Sequence, residues 1–126
     1  MDDMDDRLAP QLDVVVDTRP DRTRVIGLCG ELDVATIPPF SEALDEARAS
    51  KAPSVLVDLS EVTFIDSTAL MRLLSFLRDQ QQRGGQLVLA CHNPTVLRLF
   101  EVTGTDGTFQ IFPTRELALG HLEAAA

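Results

Sequence analysis

Short β-branched runs alternate along the chain with longer stretches in which apolar residues recur every three or four positions, and this alternation predicts the elements. Leu12-Asp13-Val14-Val15-Val16-Asp17-Thr18 reads as a strand. Arg19-Pro20-Asp21-Arg22 is a turn signal, and Thr23-Arg24-Val25-Ile26-Gly27-Leu28-Cys29-Gly30 follows as a second strand. The short gap between them predicts an antiparallel hairpin. Gly27 and Gly30 interrupt the second strand, which points to a bulge or a close backbone approach. A helix begins near Thr36 with Ile37, Phe40, Leu44 and Ala47 on one face. Pro38 and Pro39 fall in its first turn, where a missing N–H costs nothing. Glu42, Asp45 and Glu46 cover the other side, and Lys51-Ala52-Pro53 closes it.

Ser54-Val55-Leu56-Val57-Asp58-Leu59 is nearly continuous in apolar residues, the pattern of a central strand covered on both faces. A helix over residues 67–83 turns Leu70, Leu73, Leu74 and Leu77 inward and stops at Gly84-Gly85. Gln86-Leu87-Val88-Leu89-Ala90-Cys91 is another buried strand. Asn93 as cap and Pro94 as first residue open a short helix that carries Val96, Leu97 and Phe100 inward and ends at Gly104. Phe109-Gln110-Ile111-Phe112 is the last strand, and Thr114 caps a helix in which Leu117, Ala118, His121 and Leu122 share a face. The order β-β-α-β-α-β-α-β-α predicts one α/β domain: a hairpin, then a mixed, mostly parallel sheet packed against about four helices.

Length agrees, since 126 residues make one domain with a core of its own. The net charge of −9, from 20 acidic against 11 basic residues, argues against a nucleic-acid binder and suits protein partners. Met1-Asp2-Asp3-Met4-Asp5-Asp6 is the opposite of a signal peptide, and no apolar run approaches the ~20 residues of a membrane helix. Residues 1–10 are therefore expected to form a flexible acidic tail before a domain over 11–126, in a cytoplasmic protein. Cys29 and Cys91 both fall in predicted strands without a close partner, and are expected as buried, reduced thiols.

The candidate chemistry sits where the central strand runs into the next helix, at Asp66-Ser67. A helix start has unpaired N–H groups and the positive end of the dipole, so a phosphate on a hydroxyl held there would meet donors. Either residue also suits a plain N-cap role. Other chemistries lack support. His92 and His121 have no ligand neighbours in sequence, Gly84-Gly85 is followed by no Lys-Ser pair, and Ser67 lacks a Gly-x-Ser-x-Gly elbow. No metal, no cofactor and no catalysis are expected.

With Gly30-Glu31-Leu32-Asp33, Val57-Asp58-Leu59-Ser60-Glu61-Val62-Thr63-Phe64-Ile65-Asp66-Ser67-Thr68-Ala69-Leu70 and Leu99-Phe100-Glu101-Val102-Thr103-Gly104, the chain resembles the STAS domain family. More narrowly, it resembles the bacterial anti-sigma factor antagonists. The resemblance implies a partner switch in transcription regulation, of the kind used in stress response and sporulation. The unmodified antagonist binds an anti-sigma factor, itself an ATP-using serine kinase, and frees the sigma factor. Phosphorylation stops this until a PP2C-type phosphatase reverses it. Carried onto this chain, the acceptor is Ser67, with Thr68 as the alternative. The implied partner surface is Glu31, Asp33, Asp66, Ser67, Thr68, Ala69 and Arg72. Many relatives have glycine where Ala69 stands, so its methyl group is expected to affect the approach of a kinase. Arg72 and Phe76 fall off the main buried stripe of their helix. The chain is expected as a monomer or weak dimer. Two rival readings are a STAS subunit docking on the ATPase of an ABC-type lipid transport complex, and a small serine hydrolase.

Overall fold

When parallel strands follow one another across a sheet in a single direction, right-handed crossovers put every connecting helix on the same face. The computed structural model, which describes residues 11–125, is built on this rule. Strand β1 (Leu12–Thr18) pairs antiparallel with β2 (Arg24–Leu32), and β3 (Ser54–Ile65), β4 (Gln86–Ala90) and β5 (Gln110–Phe112) continue in parallel, in the order β1-β2-β3-β4-β5. Helices α1 (Ile37–Ala49), α2 (Ser67–Gln82) and α3 (Pro94–Thr103) are the crossovers. Their buried residues, among them Phe40, Leu44, Leu73, Phe76, Val96 and Phe100, meet Ile26, Val55, Val57, Leu87 and Leu89 in one core. Helix α4 (Arg115–Ala125) returns to the opposite face, where Ala118 and Leu122 close a smaller cluster over Val25, Leu56, Val88 and Ala90. The predicted single α/β domain with a leading hairpin and four helices is the observed architecture. The expected tail, residues 1–10, lies outside the described residues.

Three sequence expectations change. Strand β3 runs on to Ile65 rather than ending at Leu59. Asp58 Oδ1 accepts a hydrogen bond from Ser60 N at 2.9 Å, and the pairing with β2 jumps from Gly27↔Asp58 to Cys29↔Glu61. This bulge and a second shift, from Gly30↔Val62 to Glu31↔Phe64, each absorb one extra residue and let β3 continue beside Leu32. Cys29 is exposed, not buried, because it lies on the face of the sheet that carries α4, at the β1 side that α4 does not cover; Cys91 is buried as expected. Leu117 is 55% exposed, and α4 instead turns Ala118, Leu119 and Leu122 inward.

Two local devices fix the ends of the sheet. Gly30 has φ +121°, and a Cβ there would lie 2.3 Å from Gln11 O. Only glycine lets β1 begin so close to β2. At the opposite end, the fully buried Gln80 donates to Ala52 O and Gln86 O and accepts from Arg83, tying two loops together. Arg22 donates to Ser50 O and Lys51 O, and Arg83 to Arg48 O, so these cations satisfy carbonyls at the end of α1.

Candidate functional site

The C-terminal ends of the parallel strands and the starts of α1, α2 and α3 lie at one end of the molecule, the usual location of sites in open α/β sheets. Asp66 is the N-cap of α2, with extended backbone at φ −110° and ψ 178°. Its Oδ1 accepts from Ala69 N at 3.0 Å, and its Oδ2 accepts from Val34 N at 3.0 Å. Asp66 N in turn donates to Leu32 O at 3.2 Å. One carboxylate therefore clamps the start of α2 to the loop between β2 and α1. Ser67 is the first helical residue and is exposed. Because Asp66 performs the capping, the Ser67 hydroxyl makes no hydrogen bond among the described residues.

The clamped loop, residues 31–36, is itself fixed. Thr36 is buried, and its Oγ1 donates to Glu31 O at 2.7 Å and accepts from Asp33 N at 3.0 Å. Asp33 Oδ1 accepts from Ala35 N at 2.9 Å and Thr36 N at 3.2 Å. Thr36 thus spends its hydroxyl on the loop and makes no side-chain cap for α1. Val34 is left 67% exposed at the loop apex. Glu31 is exposed and pairs in register with Phe64. Among the described residues, Glu31, Asp33 and Asp66 form no ion pair, so this end of the molecule carries uncompensated negative charge.

The structure brings Glu31, Asp33, Asp66, Ser67 and Thr68 to this end. Thr68 is exposed, and no bond back to its own helix forms. Two other predicted residues behave differently. Ala69 is fully buried, so its methyl group faces the core and not the exposed surface; its N–H donates to Asp66. The guanidinium of Arg72 turns toward α1, donating to Ser41 Oγ at 2.8 Å and to Asp45 Oδ1 at 2.6 Å. Phe76 is fully buried. Sequence reading missed Val34, Phe64 and Met71, which are 67%, 45% and 59% exposed. For Met71 a signal existed, since it too falls off the Leu70-Leu73-Leu77 stripe. Nothing local marks Val34, which is placed by a bond to a residue 32 positions away.

Just before the junction, Asp58 anchors the bulge. Burial pushes its carboxyl up, but hydrogen bonds from Ser60 and the Arg115 guanidinium outweigh that and hold it below the ordinary carboxylate range. Arg115 Nε donates to Asp58 Oδ2 at 2.7 Å, pinning α4 to the central strand. No group of His, Cys, Asp and Glu among the described residues is arranged to hold a metal ion. No helix among them is long and apolar enough to cross a membrane. A cavity of about 460 Å³ lies at the far end of the sheet, lined by Lys51, Gln80, Arg83 and Gly85, away from Ser67.

Comparison with known proteins agrees with this fold. The family model for the STAS domain matches residues 14–118. An anti-sigma-B factor antagonist of Listeria monocytogenes is 34% identical over 86 residues, covering 68% of this chain and 75% of that protein. The crystal structure of an anti-sigma factor antagonist from Mycobacterium paratuberculosis superposes with a TM-score of 0.82 at 26% identity, covering 90% of this chain and 95% of the other. The Bacillus cell fate determinant SpoIIAA in its phosphorylated form shares the fold, with a TM-score of 0.70 at 22% identity, covering 87% of this chain and 99% of that one.

Proposed function

The chain belongs to the STAS domain family, and from that premise we propose that it is an anti-sigma factor antagonist switched by phosphorylation of Ser67. In this reading the unmodified protein binds an anti-sigma factor of the serine-kinase type and so releases a sigma factor in the cytoplasm. A PP2C-type phosphatase removes the phosphate and returns the protein to its unmodified, binding form. The chain performs no catalysis; the kinase and the phosphatase act on it.

The observation that carries this reading is the exposed, unbonded hydroxyl of Ser67 beside a carboxylate whose two oxygens are already engaged. Phosphorylation adds about −1.5 to −2 charge. The start of α2 offsets only ~1 kcal/mol of this in the free protein. Arg72, the cation nearest in sequence, is held by Asp45. Arg72 is therefore not free to pair with a phosphate at Ser67, which remains for the binding partner to meet. Shifting that partner from 99% bound to 99% free takes roughly 5.5 kcal/mol of differential affinity. Desolvation of a dianion at the apolar centre of an interface, with the steric clash of the added group, is of that order. No refolding is needed.

Pull-down from native extract with wild-type, Ser67→Ala and Ser67→Asp baits tests the reading. A kinase-like ATPase is expected on the first two and absent from the third. Transporter subunits recovered equally on all three would contradict it and leave only the fold standing.

A further inference from the structure

We propose that Val34 and Met71 are the apolar anchors of the anti-sigma factor contact, and that the surface they fit is an apolar depression rimmed by Lys or Arg. This deepens the reading of Ser67 given above and rests on it.

Val34 and Met71 are 67% and 59% exposed, and each is tied geometrically to the acceptor serine. Val34 N donates to the Asp66 carboxylate that caps the helix starting at Ser67. Met71 follows Ser67 by one helical turn, so the two side chains are neighbours on the outer face of α2. Most other strongly exposed apolar residues lie elsewhere: Val15 and Val16 on the edge strand, Val102 near the end of α3, Leu117 on α4.

Preorganisation distinguishes Val34 from a loop residue that happens to be apolar. Its loop is fixed by bonds from Thr36 to Glu31 and Asp33, by the Asp33 turn, and by Asp66. A side chain already held in place loses little freedom on binding, the condition under which exposed apolar area converts into affinity.

Charge selects the occupant. Glu31, Asp33 and Asp66 carry no ion pair among the described residues. Two copies meeting through this end would oppose like charges at every register. A heterologous partner with a basic rim meets complementary charge instead, and the acidic rim then governs the rate of encounter more than the lifetime of the complex.

Binding of the purified cognate anti-sigma factor, followed by surface plasmon resonance at several salt concentrations, separates these contributions. Val34→Ala and Met71→Ala are each expected to raise Kd about tenfold, mainly through faster dissociation. Glu31→Gln should slow association and flatten its salt dependence. Val102→Ala removes an equally exposed valine, and should change neither rate. All four substitutions are at exposed positions, and unchanged melting temperatures verify that the variants fold. Wild-type dissociation rates in both Val34→Ala and Met71→Ala, or an equal loss in Val102→Ala, would overturn the anchors while the reading of Ser67 stands. A wild-type protein that does not bind the anti-sigma factor would overturn both. A dimer of the free protein that dissociates on Val34→Ala would make the occupant a second copy, against the proposal.

Discussion

Asp66 uses both carboxylate oxygens on backbone N–H groups, one in its own helix and one in the loop before α1. That division of labour leaves Ser67 unencumbered. The capping half was legible in the sequence, because Asp before an apolar helical run is a favoured N-cap. The bond to Val34 was not, since no local rule connects residues 32 apart. Ala69 shows the converse: its place beside Ser67 and Thr68 suggests a surface position, but helical phase puts the methyl inside. Asp58 gives a residue-scale prediction. Its carboxyl is held below the ordinary range by Ser60 and Arg115 against the opposing effect of burial, so it stabilises the fold above the unfolded carboxylate value. Asp58→Asn should cost about 1–2 kcal/mol at pH 7, measured by urea unfolding. The stability gap to wild type should close as the pH falls from about 4 through the lowered folded value. A gap that persists undiminished at pH 2.5 would rule out the ionic contribution.

At the scale of elements, the crossover helices and the strand cores were legible because periodicity reports burial, and burial here follows the layers. Residues 60–65 were not, because a bulge changes which residues face the core midway along β3. The extension matters to function, since it brings Ile65 into register with Leu32 and so delivers Asp66 and Ser67 beside the acidic loop. Gly30 secures the same alignment from the β1 side. Gly30→Ala would bring a methyl group against Gln11 O in a backbone conformation that disfavours side chains. We expect a loss of about 2 kcal/mol or more, read as a lower denaturant midpoint. Unchanged stability would mean that β1 does not approach β2 as described. The exposure of Cys29 has the same elementary cause: the alternation of β2 points it toward the side of α4, but α4 spans only part of that face.

Over the whole molecule, the sheet separates two kinds of surface. One end holds Ser67, the fixed loop, three exposed apolar side chains and unpaired acids; at the other, arginines are spent on helix carbonyls. A fold with this polarity presents one face to a partner and needs no internal rearrangement to be switched by a single charged group. The composition announced the sign of the charge and the preference for protein partners, but not its distribution, which arises only when the strand ends are brought together. The most direct measurement is the affinity for the anti-sigma factor of the unmodified protein and of protein carrying phosphoserine at position 67, compared by titration calorimetry. A local electrostatic switch predicts weakening of about 10⁴-fold on phosphorylation, with an unchanged fold. Equal affinities for the two forms would contradict it.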